Sequence, residues 1–396
     1  MANNGTISPI PLSVPELTGN EWTYVKECLD TGWVSSVGPF VDRFEREIAA
    51  YAGSAHAVAV VNGTAALHIA LRVVGVQPED EVLVSTLSFI APANAIRYCQ
   101  AHPVFFDAHP HTWQMDVEKV RQFLQEMCEV RSGACINRRT GRVVRAILPV
   151  HILGLACEMD AITDIARQHC LRIVEDAAEA VGVRYRGRHP GTFGDIGVLS
   201  FNGNKIITCG GGGMLLTSSA DYAKQARYLT TQAKDDEAEY VHHAVGYNYR
   251  LTNLQAAVGV AQLEQIDAFV AKKRAIAATY EAAFSRLPAI TLMPTPPHTE
   301  SSYWLYTILL DSQTTLADRQ QVMQRLQAAG IGVRPLWHPL HRLPPYRQCE
   351  TVSIEHADRL YVRALSLPCS VGLQPSEQQR CIAAVTHCVA NDAVLC

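Results

Sequence analysis

Ser200-Phe201-Asn202-Gly203-Asn204-Lys205-Ile206-Ile207-Thr208-Cys209-Gly210-Gly211-Gly212-Gly213-Met214 holds the strongest pattern in the chain. The apolar run Ile196–Phe201 that leads into it predicts a buried strand, because short continuous apolar runs mark strands covered on both faces. A lysine follows the strand, and four glycines then let the backbone come close to a ligand. The order suits neither common nucleotide loop. A P-loop needs G-x-x-x-x-G-K-[ST] opening a helix, whereas these glycines lead into the predicted strand Met214–Thr217, and the dinucleotide fingerprint fails for the same reason. Lys205 is therefore either a solvated, anion-contacting side chain or a Schiff-base nucleophile.

Working outward, the chain from Ala55 to Asp221 alternates β-branched runs with helical stretches: His56–Val61 then Thr64–Val74, Val82–Ser85 then Ala91–Gln100. Val104–Asp107, Ala146–His151 and Leu171–Glu175 add further buried strands, so the fold class is α/β with a mainly parallel central sheet. Ligands of such sheets bind beyond the carboxyl ends of the strands, which draws Asn62-Gly63-Thr64, Asp176 and Gly203–Gly213 to one crevice. A long helical pattern from Asn253 to Leu287 can link two domains, and we place the boundary inside it: 1–265 as the large domain, 266–396 as a smaller α+β domain. The tail predicts a strand (Trp304–Leu310), a helix (Arg319–Ala329), a strand (Gly332–Leu336) and two further helices. Cys128–Arg142 predicts a polar hairpin that decorates the surface.

Composition narrows the function classes. The 396 residues carry a net charge of −4, with 18% charged and 48% apolar residues, so no basic field exists to hold nucleic acid or an anionic membrane. The uncharged stretches Val82–Ile96 and Ile206–Ala220 are interrupted and too short to span a bilayer. No Lys or Arg precedes Lys26, which excludes the basic start of a signal peptide. Twelve cysteines without a C-x-x-C pair point to reduced, mostly buried thiols and a cytoplasmic location. His109-x-His111 and His242-His243 occur without H-E-x-x-H, so no metal is expected, and no G-x-S-x-G suggests a serine hydrolase.

Four features around the lysine admit two readings each. Asp176 ends an apolar strand, where a carboxylate is costly unless partnered. It either caps the following turn or faces a pyridinium nitrogen, keeping a ring protonated as an electron sink. Glu175 points to the opposite face if the strand alternates. Thr64 is either a helix N-cap or part of a phosphate cup at a helix N-terminus. Phe89 belongs to the core or stacks on a flat cofactor.

Together these residues resemble a fold-type-I pyridoxal phosphate enzyme, in particular the DegT/StrS-type sugar aminotransferases. The resemblance extends through Ile10–Ser13, Gly32–Gly38, Val61–Leu67, Pro149–Gly154, Val174–Glu179 and Ser200–Gly213. It implies that Lys205 carries the cofactor and, once released, moves the proton. It implies further that Asp176 holds the ring nitrogen, Phe89 stacks on the ring, and Gly63, Thr64, Ala65 and Ser200 bind the phosphate of pyridoxal 5'-phosphate, which cycles through its aminated form. Glu179 stands where the family commonly has Gln or His near the cofactor hydroxyl. Asn248, in Gly246–Asn253, would reach a neighbouring subunit's phosphate site, which implies a homodimer with shared active sites. Lys205 argues against the family's dehydratases, in which histidine replaces the lysine. Cys209 lies close to the lysine in sequence, where relatives often have Thr.

The segments Asn202–Asn204, Leu229–Asp236 and Arg334–His341 are similar to the 4-aminotransferases of legionaminic acid and bacillosamine pathways. That likeness implies a nucleotide-linked 4-keto-6-deoxy sugar, UDP-linked N-acetylglucosamine first, with L-glutamate as amino donor and Trp337 and His341 in the sugar pocket. A GDP-linked sugar, a free keto sugar or cyclitol, and a non-catalytic regulatory role are the alternatives.

Overall fold

The computed structural model describes residues 8–236 and 238–392. Ten strands come from the first two thirds of the chain: His56–Val60 (β1), Glu81–Ser85 (β2), His102–Phe106 (β3), Cys128–Arg131 (β4), Ala134–Asn137 (β5), Val143–Leu148 (β6), Arg172–Asp176 (β7), Arg184–Tyr185 (β8), Ile196–Ser200 (β9) and Gly213–Thr217 (β10). The central sheet runs β1-β10-β9-β7-β6-β2-β3, and every position of β2, β9 and β10 is buried. Strands β9, β7, β6, β2 and β3 are mutually parallel, while β10 runs antiparallel to both β9 and β1. Two reversals restore the direction of β1, so the ends of β1, β2, β7 and β9 and the start of β10 share one edge. The helix Gly63–Val73 packs on β9 and β10, and the helix Pro39–Ala52 packs on β1.

The register at that edge explains the last glycine of the run. Gly213 pairs with both Val60 and Ser200, and a Cβ there would lie 2.6 Å from the Asn62 carbonyl carbon. Only glycine lets the strand pass the turn that opens the helix Gly63–Val73.

The expected long helix is two helices, Asn253–Leu263 and Ile266–Phe284, with Glu264 and Gln265 between them. Beyond them Ile290–Thr291 (β11), Thr299–Glu300 (β12), Tyr306–Leu310 (β13), Glu350–Val352 (β14) and Ala364–Leu367 (β15) complete the strands, and β11-β13-β15 form a small antiparallel sheet. The helix of the tail starts at Leu316 rather than Arg319, because Thr315 and Asp318 close a capping box. Gly332–Leu336 is extended but is not a strand. Its backbone bonds run to Ile10 on one side and, through Arg334, to Ser366 on the other. Pro335 has no N–H to continue a ladder.

Several contacts tie the tail to the large sheet. Strand β14 adds to the sheet parallel to β3, and the fully buried Asp107 accepts from the amides of Glu355, His356 and Ala357, capping the helix His356–Arg363. The β4–β5 hairpin forms and pairs onto β6. It does more than decorate the surface: its buried Asn137 donates to Glu81 at 2.9 Å and to Glu350 at 3.1 Å.

Candidate active site

A cleft of about 660 Å³ opens at the shared strand edge, between the central sheet and the tail. Its floor holds Asp176, Glu179 and Lys205. The loop bearing the lysine closes on Phe201, whose amide donates to the Gly212 carbonyl and whose carbonyl accepts from Cys209 at 2.9 Å. The Phe201 ring packs on Phe44 with centroids 4.9 Å apart. The base of the loop is thereby fixed, and the Lys205 amide bonds back to the Asn202 carbonyl in a tight turn.

Lys205 Nζ lies 3.4 Å from Glu179 Oε1 and 4.0 Å from the centre of the Trp304 ring. Glu179 Oε2 accepts from the Leu153 amide at 2.9 Å. Burial pushes the Glu179 carboxyl up to about 7, with Lys205 and the Leu153 amide pulling it back. Asp176 is also raised by burial, and among the described residues its carboxylate accepts one hydrogen bond, from the Ala178 amide at 3.0 Å. The turn-capping bond and exposure to the cleft coexist in Asp176: one oxygen is held by the turn, and the residue lines the cleft.

Asn62, not Thr64, caps the helix Gly63–Val73, its Oδ1 accepting from the Ala65 amide at 2.8 Å. Ala65 is therefore satisfied internally, and Gly63 and Thr64 line the cleft beside Ser200. Gly63 packs closely on Ser200: a Cβ there would lie 3.1 Å from the Ser200 Cβ, tighter than an ordinary contact. Phe89 lines the cleft and is 57% exposed, so its ring is not part of the core.

On the other wall Trp337 lines the cleft as expected, whereas Trp304 was not legible as a site residue. Trp304 donates Nε1–H to the Asn204 carbonyl at 2.8 Å, Ser13 donates to the same oxygen at 3.3 Å, and Trp337 lies parallel to Trp304 with centroids 6.3 Å apart. Arg334 and Ser88 also line the cleft. Trp304 sits inside an apolar run and Arg334 between residues of extended backbone, so neither carries a local signal. His341 does not line the cleft; its Nδ1 lies 2.8 Å from Thr86 Oγ1. Asn248 is exposed and outside the cleft, its backbone bridged to Thr231. Cys209 is buried with its Sγ close to Gly259, does not line the cleft, and has its thiol pushed up by burial, which leaves it little thiolate character.

These residues suit pyridoxal phosphate. A buried carboxylate with an oxygen to spare matches a pyridinium nitrogen. The helix N-terminus at Gly63 and Thr64 with the Ser200 hydroxyl matches a phosphate, and the exposed Phe89 ring matches a flat heterocycle.

Comparison with known proteins agrees with that chemistry. The family model described as "DegT/DnrJ/EryC1/StrS aminotransferase family" matches residues 15–386. GDP-perosamine synthase of Caulobacter vibrioides is 43% identical over 95% of this chain and 97% of its own length, and GDP-perosamine synthase of Vibrio cholerae is 38% identical over 96% and 100%. The crystal structure of the aminotransferase TlmJ from Streptoalloteichus hindustanus superposes with a TM-score of 0.87 at 29% identity, covering 97% of this chain and 100% of that one.

Proposed function

Since the chain belongs to the DegT/DnrJ/EryC1/StrS aminotransferase family and is a pyridoxal phosphate-dependent sugar nucleotide aminotransferase, we propose that it aminates the 4-keto carbon of a GDP-linked 4-keto-6-deoxy sugar with L-glutamate as donor. The likeness to two GDP-perosamine synthases carries the choice of nucleotide, and it ranks GDP ahead of the UDP-linked sugar expected from sequence.

Asp176 would hold the ring nitrogen, Gly63, Thr64 and Ser200 the phosphate, Phe89 the ring face and Glu179 the ring hydroxyl. Bound there, the cofactor supplies an electron sink for a carbanion. Lys205 takes a proton at Nζ from the amino-bearing carbon and returns one, a role that needs it uncharged. Its contacts with Glu179 and the Trp304 face hold Nζ over the floor of the cleft. Donor and acceptor use the same cleft in turn, which gives ping-pong kinetics.

The protein acts as a homodimer in this reading. Trp22 is 79% exposed and Leu29, Trp33 and Val37 are at least half exposed, an apolar surface that a second copy would cover, and Asn248 would reach the partner's phosphate site. The spans 1–265 and 266–396 serve as the large cofactor-binding domain and the small C-terminal domain, with β14 of the second added to the sheet of the first; their outer ends lie outside the described residues. Among the described residues no helix is long and apolar enough to cross a membrane. We assign the enzyme to the cytoplasm.

The test is the visible spectrum of the purified protein loaded with pyridoxal phosphate. A yellow band bleached by L-glutamate and restored by the GDP-linked 4-keto sugar, but not by its UDP counterpart, is the expected result. Restoration by the UDP sugar alone would reverse the nucleotide assignment. A Lys205→Ala variant with full turnover would end the catalytic assignment.

A further inference from the structure

Four charged side chains line the cleft: Asp176, Glu179, Lys205 and Arg334. Three of them form the reactive floor. Arg334 stands apart on the wall, exposed, with no hydrogen bond or ion pair from its guanidinium among the described residues. Its backbone is nevertheless fixed. The Ser366 amide donates to the Arg334 carbonyl at 2.8 Å, and Ser366 belongs to the fully buried strand β15. Pro335 restricts the backbone of Arg334 from the following position. Three residues on, Trp337 stacks along Trp304, which covers Lys205. The segment that carries the guanidinium is thus part of the wall that covers the reactive lysine.

An amino-acid donor must bring its amino group to the floor beside Lys205, and its carboxylates come with it. The floor offers them no free cation, because its other two side chains, Asp176 and Glu179, are carboxyl groups. Lys205 cannot compensate, since it must be uncharged to accept a proton. A permanently charged, planar guanidinium with its donors in a fork is the group that pairs a carboxylate under those conditions. We propose that Arg334 binds a carboxylate of the amino donor and so orients the donor for proton removal by Lys205. The inference rests on the aminotransferase reading and adds to it a residue that discriminates donor from acceptor.

The test compares Arg334→Gln and Arg334→Lys with the unmutated, pyridoxal phosphate-loaded enzyme. Calorimetric titration with glutarate, an unreactive dicarboxylate, reports binding without turnover, and bleaching of the visible band by L-glutamate reports the donor half-reaction. Arg334→Gln should weaken both by about 10- to 100-fold, with Arg334→Lys recovering part of the loss. The KM for the sugar nucleotide should stay within about threefold, far less than one lost charged hydrogen bond. Unchanged glutarate binding in Arg334→Gln overturns the proposal. So does a loss confined to the sugar nucleotide, which would assign the guanidinium to the diphosphate. If L-glutamate fails to bleach the unmutated enzyme, the donor assignment beneath the proposal falls as well, and the unmutated protein alone reveals that case.

Discussion

Glu175 and Asp176 are neighbours on β7, both buried, and they point to opposite faces with opposite fates. Glu175 is saturated. Its Oε2 accepts from the Gly191 amide at 2.8 Å and its Oε1 from Phe193 and Gly194 at 2.7 Å each. His151 Nδ1 accepts from the Cys157 amide, so its Nε2 carries the hydrogen that points to Glu175 at 3.1 Å. Burial alone would raise Glu175, yet His151 and the glycine amides hold it below the usual carboxylate range. Asp176, with one amide, is raised. The chain spends donors on the carboxylate that holds the fold and withholds them from the one that faces the cleft. Incomplete satisfaction, not burial, separates a ligand-facing acid from a structural one.

The contrast breaks most visibly under paired substitution. Asp176→Asn removes the charge that would keep the ring nitrogen protonated, and turnover should fall by about 10²- to 10³-fold. The folded state should lose less than about 1 kcal/mol, because only the Ala178 bond changes. Glu175→Gln should do the reverse. Its amide nitrogen would face N–H donors, at a cost of about 3 kcal/mol in urea unfolding, while the folded fraction keeps its kcat. Equal stability losses in the two variants would show that the two carboxylates are not distinct in kind.

Much of this was legible locally. A strand followed by an acid or by a lysine and glycines is a pattern within one segment, so β7, β9, β10 and the crevice they share follow from periodicity and chain order. The fate of Glu175 was legible only as a direction, since its donors come from Gly191–Gly194 and His151, distant in sequence. On the second wall Trp337 followed from the family likeness alone, and the part built by Trp304 was invisible for the same reason. Trp304 and Arg334 reach the cleft because the small sheet docks over the strand edge, a tertiary event with no period of its own. Gly332–Leu336 looked like a strand because extended backbone and strand share an apolar pattern; the hydrogen-bond partners decide, and Pro335 removes one. Asn62 and Thr64 are both good caps, and only the observed bond to Ala65 chooses between them.

Glu179 lies between the two extremes, with Leu153 and Lys205 as partners and a carboxyl pushed up to about 7 by burial. A carboxyl raised in the folded state favours folding while it is protonated. Relative to Glu179→Gln, the stability of the cofactor-free protein should therefore be greatest below about 4.5 and should decline as pH rises through 7, by on the order of 3 kcal/mol in all. Urea midpoints of both proteins at several pH values check the sign. A difference that grows with pH would mean that Lys205 and Leu153 outweigh burial, placing Glu179 with Glu175 among the satisfied acids.

The smallest effect concerns His341 and Trp337, four residues apart on one segment and both expected in the sugar pocket. Trp337 lines the cleft; His341 turns away to Thr86. Thr86 Oγ1 accepts from the His341 amide at 3.2 Å, which leaves its hydrogen for Nδ1, and burial keeps the ring's pKa below its ordinary value. The Leu340 amide independently bonds the Thr86 carbonyl at 2.9 Å, so the segment stays docked without the imidazole. His341→Ala should therefore cost only about 1 kcal/mol and leave the KM for the sugar nucleotide unchanged, whereas Trp337→Ala should raise that KM with little loss of stability. A raised KM in His341→Ala at unaltered stability would place the imidazole in the pocket, and satisfaction by a neighbour would no longer mark a residue as structural.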